Sequence, residues 1–514
     1  MIPILTPSES AALDRESAAR GITPLELMEN AGRGVADAAA ALARGRYGRR
    51  AVVVCGKGNN GGDGLVAARL LTRWGLGVTA VLLAAPGEFR GAAADNLDRF
   101  TAAGGRWRRY SAARLERELG RAEVAVDAIF GTGFRGAPEG DHAAAIEALN
   151  GSPVPVVSVD IPSGVDGESG AVRGAAVRAS ATVTFGALKP GLVFHPGAGL
   201  TGLITLVDIG FPEDLVRSDL HLIERADIAA MLPRRDPETH KRSTGVVLVV
   251  AGSRSMTGAA VLVARAATRA GAGLVTLAVP EGVLPVVQGA ITEAIFLPLP
   301  ETSAGTASET SWPALREGLE SAGALAIGPG MTTDPSTVAL IRRLVAGSPV
   351  PFVLDADGLN AFAGAGADLA ARDSDAVITP HAGEFGRLTG LKTNEIMDDR
   401  VGHARKAAGE FGLTVLLKGS RTVIAEPHGR AVVNPTGGPF LATAGTGDVL
   451  TGTIAAMLAG GLRPADAAAA GAYVHGLAGR LAAEENPGGP IVAPDVVAHL
   501  PHALAAVQEE ELPS

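Results

Sequence analysis

The chain has little of what builds disulfide-linked, aromatic-cored or membrane-spanning proteins. Its 514 residues include one cysteine, Cys55, which excludes an internal disulfide framework and an all-cysteine metal site. Aromatic residues make up 4%, so the cores must be built from Ala, Val, Leu and Ile. No run reaches the roughly 18 uncharged apolar residues of a membrane span, because Arg265 and Arg269 interrupt the longest stretch. Residues 1–10 also lack a signal pattern, and we expect a cytoplasmic protein that binds no membrane.

Glycine is abundant, yet the chain is not of low complexity. The 68 glycines and 32 prolines together stay below the roughly 25–30% that marks disorder, so the glycines serve folded domains. A net charge of −9 disfavours nucleic-acid binding over the whole surface. The arginine-rich segment 99–121 is interleaved with Glu116 and Glu118, and we interpret it as a solvated helix face and strand edge rather than the alternative, a nucleic-acid patch.

Two series of mostly continuous, β-rich apolar runs alternate with helical segments. Such runs fit strands buried on both faces of a parallel sheet under helices. The stretch 211–244 between the series is charged and proline-rich with no strand-like run, and we interpret it as a junction. The sequence predicts two α/β domains, over 1–215 and 221–508. The runs are 51–55, 77–83, 124–130, 154–161, 181–185 and 203–209, then 246–250, 274–279, 295–299, 324–327, 352–354, 376–378, 415–417 and 423–425.

Three smaller predictions concern the segments outside these runs. The first forty residues have a helical pattern, with Thr23 as an N-cap before a first-turn proline. The Ser, Thr and Gly-rich segment 301–310 is typical of an exposed loop, and the tail after Pro494 of a short helix with a loose end.

The first chemically suggestive segment is a glycine-rich turn, 56–64, between the run 51–55 and a helix predicted to open at Leu65. Such a turn presents free N–H groups and the positive end of a helix dipole, which suit a phosphate. The pattern is neither a Walker loop nor the usual dinucleotide fingerprint. A tight turn with Asp63 capping the helix is therefore the alternative.

Two further strand ends carry carboxylates. Asp127 is followed by the glycine-rich loop 131–136, and Asp160 by the loop 162–167. Ligands collect outside the carboxyl ends of parallel strands, so these loops and the turn 56–64 should converge on one cleft. The cleft would hold a hard-oxygen set suited to an alkali or alkaline-earth cation, although either aspartate could be a mere cap. The members of that set are Asn60, Asp127 and Ser163.

Together with Leu-Met-Glu-Asn-Ala-Gly at 27–32, these segments resemble the NAD(P)H-hydrate epimerase family over most of 1–215. The resemblance implies a Rossmann-like domain that interconverts the R and S epimers of hydrated NADH or NADPH and binds potassium through Asn60, Asp127 and Ser163. It implies that Asp160 contacts the nicotinamide end, where we expect it to act as acid and base. It also implies phosphate and ribose contacts from Asn59, Asn60, Gly61, Gly62, Asp63, Gly131, Thr132, Gly133, Phe134, Arg135 and Gly136.

The second chemically suggestive segment lies in 434–452 and leads into a helix predicted over 454–458. Its Gly445-Thr446-Gly447 places several N–H groups around one point, and Asp448 lies beside them. Phosphoryl transfer to an alcohol needs such a pair, a base for the acceptor hydroxyl and an anion hole for the transferred group. A glycine-rich helix cap without chemistry is the alternative.

Further motifs complete a second resemblance, to the ribokinase-type fold and the ADP-dependent NAD(P)H-hydrate dehydratase family, over 221–505. The motifs lie at 251–260, 328–331, 355–360, 379–384 and 418–422. The resemblance implies that Lys418, Gly419, Ser420, Arg421, Thr422 and Gly447 bind ADP, and that Ala259, Gly330, His381 and Asp448 contact the hydrate.

The same resemblance implies a mechanism. The β-phosphoryl group of ADP moves to the ring hydroxyl, which Asp448 deprotonates, and loss of phosphate then leaves NAD(P)H and AMP. Glu384 is a candidate for organising Mg²⁺ through water.

The prediction is a bifunctional metabolite-repair enzyme, an isomerase joined to a lyase. Its partners would be small molecules, the hydrates and ADP, and the resemblance favours a homo-oligomer. The alternative is a ribokinase-type small-molecule kinase with a regulatory nucleotide-binding domain. Lysine is rare against arginine, yet Lys57, Lys189 and Lys418 lie beside glycine-rich or glycine-proline loops, which hints at point-charge roles.

Overall fold

The computed structural model describes residues 1–233 and 244–509. The chain forms two compact units, one of Ile2–Ser218 and one of Met1 with Asp219–Ser514. No helix in the two described ranges combines the length and apolar character that crossing a bilayer requires.

The first unit is a parallel sheet between two layers of helices. Its strands run in the order β4-β3-β2-β5-β6-β7-β8, and every neighbouring pair is parallel. The strands of this sheet are β2 (Arg50–Cys55), β3 (Gly77–Leu82), β4 (Arg106–Arg109), β5 (Val124–Ala128), β6 (Val156–Val159), β7 (Ala181–Phe185) and β8 (Leu203–Val207), and the two-residue strand β1 (Ile2–Pro3) is not part of it. The helices are α1 (Pro7–Ala19), α2 (Pro24–Leu42), α3 (Asn59–Arg73), α4 (Gly91–Ala102), α5 (Ala112–Leu119), α6 (Gly140–Gly151) and α7 (Pro190–Val193).

Strand β2 shows why its sequence is continuously apolar. Val53 and Cys55 lie in the core formed with α2, α3 and α4, whereas Val52 and Val54 lie in the core formed with α5 and α6. Successive side chains point to opposite faces, so a strand covered by helices on both faces must be apolar at every position. This is the predicted Rossmann-like three-layer arrangement.

The second unit is a larger, mixed sheet with helices. Its strands run in the order β9-β18-β17-β16-β15-β14-β13-β10-β11-β12. Strands β10 to β16 pair with one another in parallel. Strand β17 pairs antiparallel with both β16 and β18, and β18 pairs parallel with β9. The strands are β9 (Leu220–Leu222), β10 (Val246–Val250), β11 (Leu274–Pro280), β12 (Ile295–Leu299), β13 (Ala324–Ile327), β14 (Phe352–Leu354), β15 (Ala376–Ile378), β16 (Thr414–Leu417), β17 (Val423–Ala425) and β18 (Ala431–Val433).

Its helices include four that share one hydrophobic core against the sheet, α9, α17, α18 and α19. The full set is α8 (Arg225–Met231), α9 (Thr257–Arg269), α10 (Leu284–Ala290), α11 (Trp312–Leu319), α12 (Pro335–Gly347), α13 (Asp357–Asn360), α14 (Ala382–Thr389), α15 (Thr393–Asp398), α16 (Arg400–Phe411), α17 (Thr446–Ala459), α18 (Pro464–Glu485) and α19 (Ala493–Gln508).

Every predicted apolar run contains a strand, and the predicted helical start is confirmed, with Thr23 capping α2 before Pro24. The arginine-rich segment contains the edge strand β4, whose three arginines are exposed, as expected of a strand edge.

The interpretation of 211–244 as lacking a strand is wrong, because β9 lies there and pairs with β18. A segment of three residues is too short to show the alternation of side chains that predicts a strand. It is identified as a strand only by its pairing with β18. The part 234–243 of this stretch lies outside the described residues.

Two predicted helix starts were also wrong. Helix α3 begins at Asn59 rather than Leu65, and α17 at Thr446 rather than Ile454. Both first turns are rich in glycine, which is ordinarily unfavourable inside a helix, so the sequence did not indicate that they are helical. Consequently Asp63 is not the helix cap, a position that Gly58 occupies.

Two further segments differ from the expectation. The helix in the tail, α19, has 16 residues and is not short, and residues 510–514 after it lie outside the described part. The segment 301–310 is a loop that is not wholly exposed, since Thr306 and Ala307 are buried.

Close packing explains the glycines within α3. A Cβ atom on Gly61 would lie 1.9 Å from the carbonyl oxygen of Gly56, and one on Gly64 would lie 2.4 Å from Cβ of Ala128. Real Cβ atoms do not approach so closely. These glycines let the helix start lie against the sheet edge, which places its N–H groups over the cleft.

We expect Gly64→Ala to destabilise the first unit by about 1–3 kcal/mol, because the new methyl group overpacks the contact with Ala128. Gly151→Ala is the matched control, since it changes a helical glycine of the same unit that has open space around it. The control should leave stability unchanged or raise it by up to ~1 kcal/mol. Urea unfolding followed by circular dichroism measures both, and equal effects would contradict this account of α3.

Candidate active sites in the two units

The first site lies where strands β2, β5 and β6 end side by side. The direction in which strands are added to the sheet reverses between β2 and β5, the place where open α/β sheets bind ligands. The loops are in contact, because Gly56 N donates to Ala128 O (2.9 Å) and Phe130 N donates to Ser163 Oγ (2.9 Å). The predicted convergence of the three loops is therefore confirmed.

Asp127 lies fully buried at the centre of this convergence. It accepts hydrogen bonds from Ser163 N (2.9 Å), Ser163 Oγ (2.5 Å), Ser158 Oγ (2.8 Å) and Ile129 N (3.3 Å). Burial raises the pKa of Asp127, and these hydrogen bonds oppose the rise. The aspartate thus connects β5 to the loop after β6, a role beyond that of a simple strand cap.

The three predicted cation ligands meet around one backbone carbonyl. Asn60 Nδ2 donates to Phe130 O (3.0 Å), and Ser163 Oγ, which also binds Asp127, lies 3.2 Å from the same oxygen. Asn60 Oδ1 accepts no hydrogen bond from a residue in the described ranges. The donor set is therefore an amide, a hydroxyl and a carbonyl oxygen over one buried carboxylate.

The start of α3 provides the expected anion-binding groups. Its N-cap, Gly58, has no side chain, so the N–H groups of Asn59, Asn60 and Gly61 have no side-chain cap. These groups and the helix dipole suit a phosphate. Asp63 differs, because burial and then Asp160 raise its pKa well above the usual range. It is coupled to the acidic groups of the cleft.

The loop 131–136 forms the outer wall of the cleft. Phe134 stacks on Phe130 with ring centroids 4.3 Å apart, and Phe130 stacks on His142 at 5.0 Å. Arg135 is exposed and lies 3.5 Å from Glu168. Gly131 lies against Asn60, which joins this wall to the start of α3.

Asp160 has a partner that the sequence only hinted at. Lys189 Nζ donates to Asp160 Oδ1 (2.5 Å), to Thr184 Oγ1 (2.9 Å) and to Phe185 O (3.0 Å). The signal in the sequence was a rare lysine beside a glycine-proline turn. Nothing in the sequence showed that it would reach the strand end 29 residues away.

The Leu-Met-Glu-Asn-Ala-Gly segment at 27–32 lies in α2 and packs against α3, the helix that begins at the site. In α2, Glu29 pairs with Arg69 of α3, and Asn30 Nδ2 donates to Ile209 O (2.9 Å) after β8. A Cβ on Gly62 would lie 2.6 Å from the sulfur of Met28. The segment thus packs α2 against the helix that provides the anion-binding N–H groups.

The second site lies at the carboxyl ends of β10, β13, β14, β15 and β16, which are neighbours in the sheet. Lys418 Nζ, after β16, donates to Asp355 Oδ1 (2.7 Å), after β14, and lies 3.7 Å from Glu384. Thr451 Oγ1 of α17 donates to Asp355 Oδ2 (2.8 Å). Burial alone would lower the pKa of Lys418, but Asp355 and Glu384 raise it, so the lysine is charged.

Asp448 lies in the first turn of α17. Burial raises its pKa to about 7, with a further contribution from Asp355, while Lys418 acts in the opposite direction. The N-cap of α17 is Gly445, which is left-handed (φ 87°) and without a side-chain cap. Cβ atoms built on Gly445 and Gly447 would lie 3.9 Å from Asp448 Oδ2 and 3.6 Å from Lys418 Nζ. The Asp448 carboxyl group, the Lys418 cation and the N–H groups at the start of α17 therefore lie close together.

Two groups of the predicted hydrate contacts can be located from their neighbours, Ala259 with Gly330 and His381 with the turn beside Lys418. A Cβ on Gly330 would lie 2.9 Å from Cβ of Ala259, so these two residues are adjacent. His381 caps α14, where its Nδ1 accepts from Gly383 N (3.0 Å) and its N donates to Glu384 Oε2 (2.8 Å). The backbone of Lys418 adjoins this turn, because Lys418 N donates to Pro380 O (2.8 Å).

The loop 418–422 is held by a residue that the sequence did not single out. Arg400 of α16 donates to Ser420 O (2.5 Å) and Leu417 O (3.3 Å), and burial lowers its pKa to about 10. Arg421 NH1 donates to Pro435 O (2.9 Å), which ties the loop to the segment before α17. Asp355 was also missed as the partner of Lys418, although its motif was recognised.

Backbone strain concentrates at both sites. Among the described non-glycine residues, positive φ occurs at Asp160 (63°), Thr332 (71°), Ala356 (51°), Arg421 (59°) and, elsewhere, Arg44 (53°). Such conformations cost free energy and persist where surrounding contacts enforce them. Four of the five lie beside the carboxylates and loops just described.

Comparison with known proteins agrees with this architecture. The family described as YjeF-related protein N-terminus matches residues 24–191, and the family described as NAD(P)H-hydrate dehydratase matches 247–501. A ribokinase-like superfamily protein from Enterococcus faecalis V583 has a TM-score of 0.50 at 22% identity, over 57% of this chain and 98% of its own. Fold and site together define a two-unit α/β enzyme, Rossmann-like in the first unit and ribokinase-like in the second.

Full-length relatives identify the family. The proteins named "Bifunctional NAD(P)H-hydrate repair enzyme Nnr" from Moorella thermoacetica and Thermofilum pendens are 44% and 42% identical, over 99% and 98% of this chain and 97% and 96% of their own lengths. The chain therefore belongs to the family of bifunctional NAD(P)H-hydrate repair enzymes. An ADP/ATP-dependent NAD(P)H-hydrate dehydratase from Bacillus subtilis, co-crystallised with ATP and Mg²⁺, is 31% identical with a TM-score of 0.49, over 56% of this chain and 98% of its own.

We expect Asp448→Asn to stabilise the protein at pH 8 by on the order of 1–4 kcal/mol. The folded-state pKa of about 7 exceeds the roughly 3.9 of an unfolded aspartate, so the folded state binds the proton more tightly. Stability of the wild type therefore falls as the pH rises from about 4 to about 7, and the variant avoids this loss.

Urea unfolding at pH 5 and pH 8 measures the difference. The exposed Asp398→Asn is the control, and its effect should not depend on pH in this range. A stabilisation by Asp448→Asn that is larger at pH 5 than at pH 8 would refute the assigned environment.

Proposed function

We propose that the chain repairs hydrated NADH and NADPH. The first unit, over 1–215, epimerises the R and S hydrates, and the second, over 221–508, dehydrates the S hydrate with ADP, giving NAD(P)H, AMP and phosphate through a phosphorylated intermediate. Family membership supports both activities. The observation that carries the chemistry is Asp448, a carboxyl with a pKa of about 7 beside the uncapped start of α17 and the charged Lys418.

In the second unit, Asp448 accepts the proton of the ring hydroxyl as the oxygen attacks the β-phosphorus of ADP. The β-phosphoryl group forms a bond to that oxygen, and AMP leaves with the electron pair of the broken P–O bond. The N–H groups at the start of α17 and the Lys418 cation stabilise the charge on the transferred group. Phosphate then leaves the ring carbon with the electron pair of the broken C–O bond. Loss of a proton from the neighbouring carbon restores the ring double bond.

Individual residues have distinct roles in this proposal. Lys418, Gly419, Ser420, Arg421, Thr422 and Gly447 bind ADP, and Ala259, Gly330, His381 and Asp448 bind the hydrate. The carboxylate of Glu384 already accepts from His381 N and faces Lys418, so it fits Mg²⁺ held through water rather than by a direct bond. When bound, the ion would neutralise phosphate charge.

In the first unit, the reacting carbon bears a hydroxyl and is bonded to the ring nitrogen. The proposed inversion of this hemiaminal opens the ring: the hydroxyl proton leaves, the C=O bond of an aldehyde forms, and the C–N bond breaks with its electron pair going to the ring nitrogen, which is conjugated with the carboxamide. After the aldehyde turns, the nitrogen attacks its other face and the proton returns to the oxygen. Asp160 takes and returns this proton. The residues that would hold the phosphates and ribose are Asn59, Asn60, Gly61, Gly62, Asp63, Gly131, Thr132, Gly133, Phe134, Arg135 and Gly136.

Potassium would bind through Asn60, Asp127 and Ser163. The free Asn60 Oδ1, the Ser163 hydroxyl and the Phe130 carbonyl are hard oxygen donors over one buried negative charge, which suits a monovalent cation. When bound, the ion would supply positive charge near the phosphates. The described residues hold no cluster of three or more His, Cys, Asp or Glu side chains arranged for a metal ion.

We also propose that the enzyme is a cytoplasmic homo-oligomer that acts on small molecules only. The family resemblance supports the oligomer, and the lack of a signal pattern in residues 1–10 supports the cytoplasmic location.

The proposed function predicts that purified protein with Mg²⁺ and ADP regenerates the NADH absorbance from both epimers of hydrated NADH. Asp448→Asn should reduce this recovery by at least about 100-fold while exchange between the epimers continues. Asp160→Asn should slow consumption of the R epimer only.

Running ADP and ATP side by side identifies the phosphoryl donor. No recovery with either nucleotide would refute the dehydratase assignment, and phosphorylation of an added alcohol without recovery would favour the small-molecule kinase instead. Equal loss for both epimers in Asp160→Asn would contradict the division of labour.

The dehydration rate should depend on pH with an acidic limb near pH 7. Asp448 must be ionised to accept the proton, and its pKa is about 7, so the rate falls about tenfold for each unit below that value. Single-turnover rates from pH 5 to pH 9 test this. A rate independent of pH between 5 and 7 would exclude Asp448 as the base.

A further inference from the structure

The buried ammonium group of Lys189 makes as many hydrogen bonds as it has protons. Lys189 is 3% exposed, and its Nζ donates to Asp160 Oδ1, Thr184 Oγ1 and Phe185 O at 2.5–3.0 Å. An ammonium group has three donors, so none remains for a substrate. Lys189 therefore acts on the reaction only through the groups that it binds.

The carboxylate of Asp160 is held on one side. Its Oδ1 accepts from Lys189 Nζ and from Thr184 Oγ1 (3.2 Å), whereas its Oδ2 accepts from no residue in the described ranges. The side chain is 14% exposed, and the backbone of Asp160 has a positive φ of 63°. One oxygen is thus fixed and the other is left for the cleft.

Lys189 lies among acidic groups. Asp160 raises the pKa of Asp63 and of Asp14, after burial, and Lys189 lowers both. These are the titratable groups coupled to the pair, from α1, α3 and the loop after β6. Without the cation, the carboxyl groups of Asp160, Asp63 and Asp14 would lose the compensating positive charge of Lys189.

A buried ion pair is poor evidence for stability, because desolvation of both charges offsets their attraction. An apolar pair would pack the same space at less cost. A charged pair at this place fits a carboxyl group that has to be held in one orientation in the cleft.

Resting on the epimerase activity proposed above, we propose that Lys189 and Thr184 are positioning residues for epimer exchange. They hold Oδ1 of Asp160 and leave Oδ2 as the atom that takes and returns the hydroxyl proton.

The test compares Lys189→Met and Thr184→Val with the wild type in epimer exchange, followed by chromatographic separation of the epimers without nucleotide. We expect kcat to fall about 100-fold in Lys189→Met and about 10-fold in Thr184→Val, with KM within about threefold, since orientation rather than binding is lost.

Thr182→Val is the matched control. Thr182 is a buried threonine of the same strand, β7, and its Oγ1 donates to Thr201 O (2.7 Å) rather than to Asp160. We expect its kcat to stay within about twofold of the wild type, because its lost hydrogen bond is structural only. Circular dichroism and the nucleotide-dependent dehydration of the S epimer report the integrity of each variant.

The outcomes separate the two proposals. If Lys189→Met and Thr184→Val melt at lower temperature but retain kcat, the pair is structural and this inference is wrong. If Lys189→Met does not fold, Thr184→Val alone decides by the same criteria. If the wild type does not exchange the epimers above the uncatalysed rate, the epimerase assignment fails instead.

Discussion

Each unit depends on one interaction, a lysine that pairs with an aspartate placed just after a strand of the parallel sheet. In the first unit Lys189 binds Asp160 after β6, and in the second Lys418 binds Asp355 after β14. Removing either partner would leave a charge in a poorly solvated place, which is far more costly than losing an exposed pair. The sheet therefore has to bring both partners together, and the glycine-rich loops are arranged around them.

The two pairs leave different carboxyl groups for chemistry. In the first unit the paired Asp160 itself retains a free oxygen toward the cleft. In the second unit, both carboxylate oxygens of Asp355 accept hydrogen bonds, one from Lys418 and one from Thr451. The neighbouring Asp448 is the carboxyl group whose pKa rises to about 7. In the proposed mechanisms, Lys189 orients Asp160 as the base, whereas Lys418 places a positive charge beside Asp448, whose pKa burial raises. Both arrangements suit removal of a proton from a ring hydroxyl.

Much of the fold was predictable, because strands buried on both faces must be continuously apolar and such runs stand out in an alanine-rich background. The predictions failed where local sequence is ambiguous. Strand β9 is three residues long and is defined by its pairing with β18. The first turns of α3 and α17 contain glycines that disfavour a helix locally, and contacts such as that between Gly61 and Gly56 explain why they are there.

The sequence by itself determined the two α/β units, the order of the motifs, and the approach of Asp127, Asp160 and Ser163, since parallel strands end at one edge. Only the tertiary structure decided which groups pair and which remain free. Lys189 lies 29 residues beyond Asp160, and Arg400 lies on a helix before the loop that it holds. A side chain's hydrogen bonds and burial depend on neighbours distant in the chain, and these set both the pKa of Asp448 and the free oxygen of Asp160.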